Sequence, residues 1–366
     1  MNDIPALTKK EVVEVLASWT GIPIDRLDSN FAKEGNLNQL EEKLKSEIFG
    51  QSYAIDAACK ALKRRFILSE ASQNEMRLIS TLMFVGSSGC GKTDLALQIA
   101  DNCFGSEKNL IRIDCGNYSE EHSIAKLIGS PPGYVGYAEG GQLTNALRKK
   151  SYGVILFDEI EKANPKVITN ILVQLASNGT VTDGNTGSLI DATNTILILT
   201  SNLGTSFENE HKKDIGFTSE NINIKDEKRE KILREIHNFL PNEIIGRIDE
   251  IIIFNELDED SVKAIWKKEV KKLEEKLTGS SVIGKQLNEV QIEISELAEQ
   301  IFISKAMTGI ATQGARAVQR IFNRWITDQI TEMKVEKSIP GNGSYKIVID
   351  INDNEALTYT VVLQDQ

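Results

Sequence analysis

Long hydrophobic runs are missing from this sequence of 366 residues. A membrane-spanning helix needs about 20 consecutive, mostly apolar residues, and no run of even about 18 occurs here. The opening segment Met1–Pro5 also lacks the basic start and apolar core of a secretory signal. The sequence therefore predicts neither a membrane span nor a secretory leader.

Cysteine is scarce, with four residues at Cys59, Cys90, Cys103 and Cys115 and no C-x-x-C spacing among them. This usage disfavours both a disulfide framework and a zinc site. A reducing compartment fits better, so we expect the cytoplasm or an organelle matrix or stroma.

The sequence has few basic residues for its acidic content: it contains 42 basic and 53 acidic residues, and the net charge is −11. This balance disfavours a nucleic-acid surface as the main binding face. Hydrophobic residues make up 40% of the chain, an ordinary share for a globular protein, and the length suffices for two or three domains. Neither an internal repeat nor a low-complexity tract is evident.

A phosphate-binding signature is the most informative feature that is present. An apolar segment runs into the pattern G-x-x-x-x-G-K-[ST], and a helical pattern leaves it. Backbone N–H groups of such a loop cradle phosphates, Lys92 reaches the β- and γ-phosphates, and the Thr93 hydroxyl ligates Mg²⁺. The motif consists of Gly86, Ser87, Ser88, Gly89, Cys90, Gly91, Lys92 and Thr93. It predicts nucleotide binding.

Strands and helices alternate up to residue 257. The predicted strands are 79–85, 109–114, 153–158, 194–201 and 250–254, and helices precede them at 8–19, 40–47 and 52–69. Near-continuous apolar runs such as Val154–Phe157 are typical of a parallel sheet covered on both faces, which predicts a doubly wound α/β core. Residues 205–230 are polar without a clear period, and we interpret them as a loop or insertion.

The pattern changes after Leu257 to that of a small α+β domain. It predicts helices at 258–278 and 313–337 and strands at 290–294, 344–350 and 356–363.

Two carboxylates, Asp158 and Glu159, end the apolar strand 153–158. Asp158 can orient the water shell of Mg²⁺, so that Thr93 and Asp158 form the predicted metal site, and Glu159 can polarise the attacking water. Solvated acids that cap a strand are the alternative, which the upstream phosphate loop disfavours. Asn202 follows another apolar strand and could hold the same water, or it could simply be a turn former.

In order along the chain, these motifs resemble the second ATPase module of the Clp family of AAA+ protein unfoldases. The resemblance is to the ClpA/ClpC type, with the ClpB-type disaggregases as a close relative, and it spans nearly the whole length. Besides the phosphate loop it rests on Trp19–Pro23, Ser130–Tyr137, Gly140–Thr144, Phe157–Ala163, Thr200–Gly204, Arg247–Glu250 and Gly314–Arg316. It implies a AAA+ P-loop ATPase core with a parallel sheet at 46–256. A helical linker-like segment at 1–45 precedes the core, and a small α+β C-terminal lid at 257–366 follows.

The resemblance also implies roles for single residues. Gly133, Tyr134, Val135 and Gly136 resemble the pore loop, in which Tyr134 gives an aromatic grip that does not depend on substrate sequence. A surface turn with a half-buried tyrosine is the alternative. Ile48 and Phe49 resemble the apolar clamp on adenine.

Two arginines match family positions outside the phosphate loop. Arg247 resembles the arginine finger that reaches the nucleotide of the adjacent subunit, and a surface ion pair with Asp249 or Glu250 is the alternative. Arg316 resembles the sensor that couples lid closure to the γ-phosphate. The sequence departs from the family at Gly246, where Asn is usual, and at Cys90, where Val is usual.

The resemblance implies a homo-hexameric motor that uses ATP and Mg²⁺ to thread protein substrates through a central pore. The tripeptide Ile215, Gly216 and Phe217 resembles the docking motif for a ClpP-type peptidase; alternatively, Ile215 and Phe217 pin their loop to the core. A protease-independent disaggregase is the rival within the family.

Two rivals from other classes are weaker. A nucleic-acid remodeller would place basic residues in its pore, and a non-motor nucleotide-binding scaffold would not need intact Lys92, Asp158, Glu159 and Arg247. Family members commonly carry a substrate-receiving N-terminal domain and a first ATPase module, and neither is in this sequence. It is therefore either a single-module protein or a piece of a longer one.

Overall fold

The computed structural model describes residues 8–20, 34–71, 77–134, 136–205, 221–278, 290–336, 344–352 and 357–363. The chain divides into two compact units, residues 1–87 with 91–254 and residues 255–366 with 88–90. The three-part division given above stays a prediction. No helix in the described ranges is long and apolar enough to cross a membrane.

A parallel sheet of five strands forms the centre of the first unit, as predicted. Its strands are β1 (Ser80–Val85), β2 (Leu110–Asp114), β3 (Gly153–Asp158), β6 (Thr195–Ser201) and β7 (Glu250–Ile253), in the order β2-β3-β6-β1-β7. Every residue of β1, β3 and β6 is buried, which is why these strands read as continuous apolar runs. A separate antiparallel pair, β4 (Thr180–Thr182) and β5 (Leu189–Asp191), was not predicted, because three-residue strands are too short to show alternation.

Helices accompany this sheet. They are α1 (Lys9–Thr20), α2 (Glu34–Glu47), α3 (Ser52–Ala71), α4 (Lys92–Phe104), α5 (Ile124–Ile128), α6 (Gln142–Lys149), α7 (Pro165–Asn178), α8 (Asn221–Phe239) and α9 (Asn242–Ile245). Helix α7 shows how local chemistry sets the ends. The Asn164 side chain accepts a hydrogen bond from the Lys166 N–H, Pro165 occupies the first turn, and Gly179 closes the helix in the left-handed region.

The interpretation of residues 205–230 as a loop was wrong from residue 221 onward, where α8 begins. Ile232 and Ile236 are buried four residues apart, and Leu240 follows just after the helix. This apolar face lies in the C-terminal half of α8, and the polar first half gave no period to detect.

The strand order places the ends of three strands side by side. β6 lies between β1 and β3, with Ser201 in register with Val85 and Leu199 with Phe157. Because all three strands run in one direction, the segments that follow them meet at one edge of the sheet.

The second unit contains α10 (Glu259–Thr278), β8 (Val290–Ile294), α11 (Glu296–Gln313), α12 (Ala315–Phe322), α13 (Asp328–Val335), β9 (Tyr345–Ile351) and β10 (Leu357–Leu363). Its sheet has the order β10-β9-β8, with β9 antiparallel to β10 and parallel to β8. The Trp266 ring meets Phe322 edge-on at a centroid distance of 5.0 Å in the core.

Two helix predictions in this unit need correction. Helix α11 was missed, because apolar residues also lie on its exposed side, as at Leu297, and blur the amphipathic period of the buried residues Phe302 and Ile303. The single helix expected at 313–337 is two helices, α12 and α13, joined by a π-helical turn at Asn323–Thr327. Gly314, with φ 56°, separates α12 from α11.

Candidate nucleotide site

The loop between β1 and α4 has the backbone of a phosphate cradle. Gly89 (φ 74°) and Gly91 (φ 106°) lie in the left-handed region, which residues with a side chain rarely adopt. Gly91 caps α4, so the N–H groups of the first helical turn face the loop without an intrahelical acceptor. Together with the helix dipole, they form an anion-binding end.

Lys92 is 6% exposed and its ammonium group is held at three points. Nζ donates to Gly86 O at 2.6 Å, Ser87 O at 2.8 Å and Asn202 Oδ1 at 2.8 Å. A buried ammonium group needs such partners because losing water without replacement is costly. Phosphate oxygens can replace these acceptors, and Lys92 then binds the ligand from the same place.

Asp158 is buried at the end of β3 and is held on both oxygens. Oδ1 accepts from Thr200 Oγ1 at 2.6 Å and from Thr93 Oγ1 at 3.4 Å, and Oδ2 pairs with Arg112 Nη2 at 2.5 Å. The sequence analysis missed both Thr200 and Arg112. A cation inside the otherwise apolar start of β2 was the one signal that could have pointed to Arg112.

The Thr93 hydroxyl and the Asp158 carboxylate fit a magnesium site. Both are hard oxygen donors, and they already lie within 3.4 Å of each other. Across the described residues, no cluster of three or more His, Cys, Asp or Glu side chains could hold a metal ion unaided. Mg²⁺ would therefore complete its coordination here with phosphate oxygens and water, as it commonly does at nucleotide sites.

Glu159 has an unusual backbone. Its φ of 57° and ψ of 60° make it the one residue other than glycine with a positive φ in the described part of the chain. The strain is offset by a hydrogen bond in which the Glu159 N–H donates to Thr200 Oγ1 at 2.9 Å. Its carboxylate accepts from Asn202 Nδ2 at 3.2 Å through Oε1 and pairs with Lys162 Nζ at 2.5 Å through Oε2.

Asn202 connects the basic and acidic halves of the site. Its Oδ1 accepts from Lys92 while its Nδ2 donates to Glu159 and, at 3.0 Å, to Glu161 Oε1. The Asn202 N–H also donates to Glu161 Oε1, at 3.1 Å. Sequence reasoning gave no role to Glu161 or to Lys162, although both stand in the motif that follows β3.

Of the two residues predicted to clamp adenine, Ile48 lies next to the phosphate loop. Ile48, 8% exposed, follows α2, and its Cγ2 lies 3.7 Å from where a Cβ on Gly91 would stand. Phe49 is half-buried. Its place in the clamp stays a prediction.

The loop between α5 and α6 exposes Tyr134, which is 72% accessible. The half-buried tyrosine of the alternative interpretation is therefore not what the structure shows. Gly133 and Gly136 both have φ 88°, and no atom lies within 4 Å of where a Cβ on Gly133 would stand. Val135 lies outside the described residues.

Arg247 follows α9 and does not pair with Asp249. The Asp249 carboxylate is engaged by Arg65, by Ser80 Oγ at 2.9 Å and by the Thr81 N–H at 2.9 Å. No carboxylate of a described residue pairs with the Arg247 guanidinium, so the ion-pair alternative has no support there. Gly246 has φ −64°, which any residue can adopt.

Arg316 is exposed in the first turn of α12, in the second unit. Ile215, Gly216 and Phe217 lie outside the described residues.

All four cysteines are buried, and none of them forms a disulfide. Burial raises the pKa of the Cys59 thiol to about 12 and also raises the pKa of Cys115, so both remain protonated at neutral pH.

Comparison with known proteins agrees with this geometry. A family model described as AAA domain (Cdc48 subfamily) matches residues 77–251. The ClpC/MecB negative regulator of genetic competence of Bacillus subtilis is 38% identical over 357 residues, which cover 97% of this chain and 41% of that protein. The chaperone protein ClpB of Bacillus cereus is 34% identical over 353 residues, covering 96% and 38%. The chain belongs to the Clp family of AAA+ ATPases.

Solved structures of this family share the fold. The Hsp104–ADP complex of S. cerevisiae superposes with a TM-score of 0.73 at 30% identity, over 95% of this chain and 56% of that one. A closed-state reconstruction of Hsp104 with ATPγS and FITC-casein gives the same TM-score at 29% identity. The predicted AAA+ fold is therefore confirmed. This Clp-family chain spans about two fifths of the length of the curated relatives named above.

Proposed function

We propose that this chain is the ATP-hydrolysing module of a ring-shaped protein unfoldase. The observation that carries the proposal is the arrangement of Lys92, Asp158, Glu159 and Asn202: Asn202 bonds both Lys92 and Glu159, and the Thr200 hydroxyl links Glu159 to Asp158. These side chains follow three adjacent strands and provide a phosphate-binding cation, a metal-binding carboxylate, a base and a water-positioning amide. A scaffold that only bound nucleotide would not need all four.

Each residue has a defined task in the hydrolysis of ATP. The loop N–H groups and Lys92 bind the phosphates, while Thr93 and Asp158 would hold Mg²⁺, which neutralises phosphate charge. A water oxygen forms a bond to the γ-phosphorus as the bond from that phosphorus to the bridging oxygen breaks. The water's proton passes to Glu159, and ADP and phosphate leave.

Polypeptide is the substrate that the exposed loop fits best. Tyr134 exposes its aromatic ring in a loop where Gly133 and Gly136 have positive φ, and such a ring needs no particular substrate sequence to grip. The net charge of −11 speaks against a nucleic-acid strand in the same place. Both observations therefore disfavour the alternative of a nucleic-acid remodeller.

The proposed assembly is a homo-hexamer in which Arg247 of one subunit reaches the nucleotide of the next. Its support is that no described carboxylate neutralises this guanidinium within its own subunit. Arg316 is proposed to sense the γ-phosphate from the lid. Four buried cysteines outside any disulfide support a reducing compartment, either the cytoplasm or an organelle matrix or stroma.

Mass measurement in ATP and in ADP, combined with the ATPase rate, tests the proposal. We expect a six-subunit species in ATP and hydrolysis that rises more than linearly with protein concentration as rings assemble. Full hydrolysis by a strict monomer would contradict the ring, and the absence of hydrolysis by an assembled ring would contradict the ATPase assignment.

We further propose that a ClpP-type peptidase is the partner of the ring, docked through Ile215–Phe217. The support is the tripeptide itself and its position between Asn202 and Arg247. Relatives of this chain include both ClpC/MecB and ClpB, so the protease-independent disaggregase remains the alternative. Six weak contacts on a ring would add up to stable binding.

Phe217→Ala should abolish association with a ClpP-type peptidase ring in ATP and leave the ATPase rate unchanged. Phe207→Ala removes the same side chain in the segment before the tripeptide and is the matched control. Sedimentation of the mixed rings measures association. If the parental protein does not bind the peptidase, the partner proposal is wrong and the disaggregase alternative gains.

A further inference from the structure

The carboxylate of Glu159 is already occupied on both oxygens. Asn202 Nδ2 donates to Oε1 at 3.2 Å, and Lys162 Nζ pairs with Oε2 at 2.5 Å. Asn202 is a residue that the reaction needs near the γ-phosphate. Lys162 has no task in the hydrolysis described above.

Local backbone structure sets the position of Lys162. A short 3₁₀ turn, Ile160–Lys162, follows Glu159 directly, and the Lys162 N–H donates to the Glu159 carbonyl at 3.0 Å. Ile160 is fully buried and fixes the turn against the core. The lysine therefore faces the glutamate three residues earlier because of the turn, and not because a long surface side chain happens to lie there.

The aliphatic part of the Lys162 side chain lies against the turn that follows β2. Its Cδ lies 3.8 Å from where a Cβ on Gly116 would stand, in the turn Cys115–Tyr118 that follows β2. The ammonium group is hydrogen-bonded to Glu159, and Asp114 and Glu161 are further acidic neighbours. Glu159 first, and then these two, raise the pKa of Lys162 above its usual value. Lys162 is therefore a cation throughout the neutral range.

The ion pair is built to be reversible. The side chain of Lys162 is 54% exposed and that of Glu159 is 29% exposed. Water and salt screen an ion pair with such access, so its separation costs little. A buried ion pair would instead resist opening.

A general base must offer a lone pair to the attacking water within hydrogen-bond reach. We propose that Lys162 is a positioning residue that holds Glu159 in a resting pose and slows ATP hydrolysis until the pair opens. The inference rests on the proposed ATPase function. It gives the chain a built-in restraint on its own base, separate from nucleotide binding through Lys92.

Lys162→Met keeps most of the length of the side chain and removes the charge. We expect it to raise the ATPase kcat at saturating ATP by about two- to five-fold, the factor that an exposed ion pair of up to about 1 kcal/mol allows. The Kd for a fluorescent ATP analogue should stay at the parental value, because the ion pair of Lys162 is with Glu159 and not with the phosphate loop. Lys162→Arg restores the cation and should return kcat close to the parental rate.

Lys166→Met is the matched control, since Lys166 lies four residues after Lys162 and forms an exposed ion pair with Glu121. It should change neither kcat nor Kd. The acceleration by Lys162→Met should also disappear when it is combined with Glu159→Gln.

The outcomes distinguish failure of the restraint from failure of the proposed function. If the parental ring hydrolyses ATP and Lys162→Met is no faster, or Lys162→Arg is as fast as Lys162→Met, the restraint does not exist. If the assembled parental ring does not hydrolyse ATP, the proposed function fails first and the inference fails with it.

Discussion

At the scale of single residues, one hydroxyl organises both acidic residues of the site. Thr200 Oγ1 donates to Asp158 Oδ1 and accepts from the Glu159 N–H, which uses its single donor and one of its lone pairs. Because Thr200 is fully buried in β6, these bonds do not compete with water. The positive φ of Glu159 is thereby held by a neighbouring strand.

Substitutions of Lys92 and Glu159 should separate nucleotide binding from ATP hydrolysis. Lys92→Ala should lose nucleotide binding, because the cation that meets the phosphates is gone. Glu159→Gln should bind ATP and hydrolyse it at least about 10²-fold more slowly, the scale of a lost general base. Fluorescence titration with an ATP analogue and a steady-state phosphate assay measure the two effects.

Glu121→Gln is the control for this pair of variants, because Glu121 is an exposed carboxylate paired with Lys166. It should match the parental protein in both assays. Hydrolysis by Glu159→Gln at a rate near the parental one would remove Glu159 from the role of base.

At the scale of elements, the loop that carries Tyr134 is fixed at both of its ends. The Gly184 N–H donates to Ile128 O at 2.8 Å before the loop, and Asn185 Nδ2 donates to Tyr137 O at 2.6 Å after it. Both donors belong to the turn that joins β4 to β5. The small hairpin thus anchors a loop whose tip stays exposed.

An anchored loop with a free tip predicts that grip and hydrolysis are separable. Tyr134→Ala should keep the ATPase rate and lose the unfolding of a tagged folded substrate, measured in a form of the protein able to receive substrate. Tyr134→Phe should retain unfolding, because the ring makes the contact. Tyr53→Ala removes another tyrosine that is 57% exposed and should have no effect. Unfolding at the parental rate by Tyr134→Ala would mean that the grip lies elsewhere.

At the scale of the whole molecule, Arg247 has a guanidinium without a described carboxylate partner in its own chain. If it acts on the neighbouring subunit, Arg247→Ala should assemble and bind ATP but fail to hydrolyse it. Mixing Arg247→Ala with Lys92→Ala should restore part of the activity, because some interfaces then combine an intact phosphate site with an intact finger.

Phosphate release from the mixture, compared with each variant alone, measures this rescue. Arg234→Ala is the control, since Arg234 forms an exposed ion pair with Glu230 on α8 and should behave like the parental protein. Stable mixed rings without any rescue would place Arg247 outside the catalytic interface.

The sequence by itself determined the elements whose cause is local. Gly89 and Gly91 permit the left-handed turns of the loop, so a short contiguous motif defines the phosphate cradle. Burial on both faces makes β1, β3 and β6 almost entirely apolar, so the central strands were predictable to within a residue or two. Helix α8 has its apolar face only in the C-terminal half, and α11 has apolar residues on its exposed side as well, so both carried too weak a period to detect.

The tertiary structure alone decided which charged groups meet. Arg112 reaches Asp158 across 46 positions, and Arg65 reaches Asp249 across 184, because the strand order and register bring those positions together. No local pattern encodes such partners, since a charged side chain has many candidates of opposite sign along the chain. Lys162 shows the same limit at short range. Its spacing from Glu159 was visible, but only the turn geometry showed that the lysine pairs with the Glu159 carboxylate.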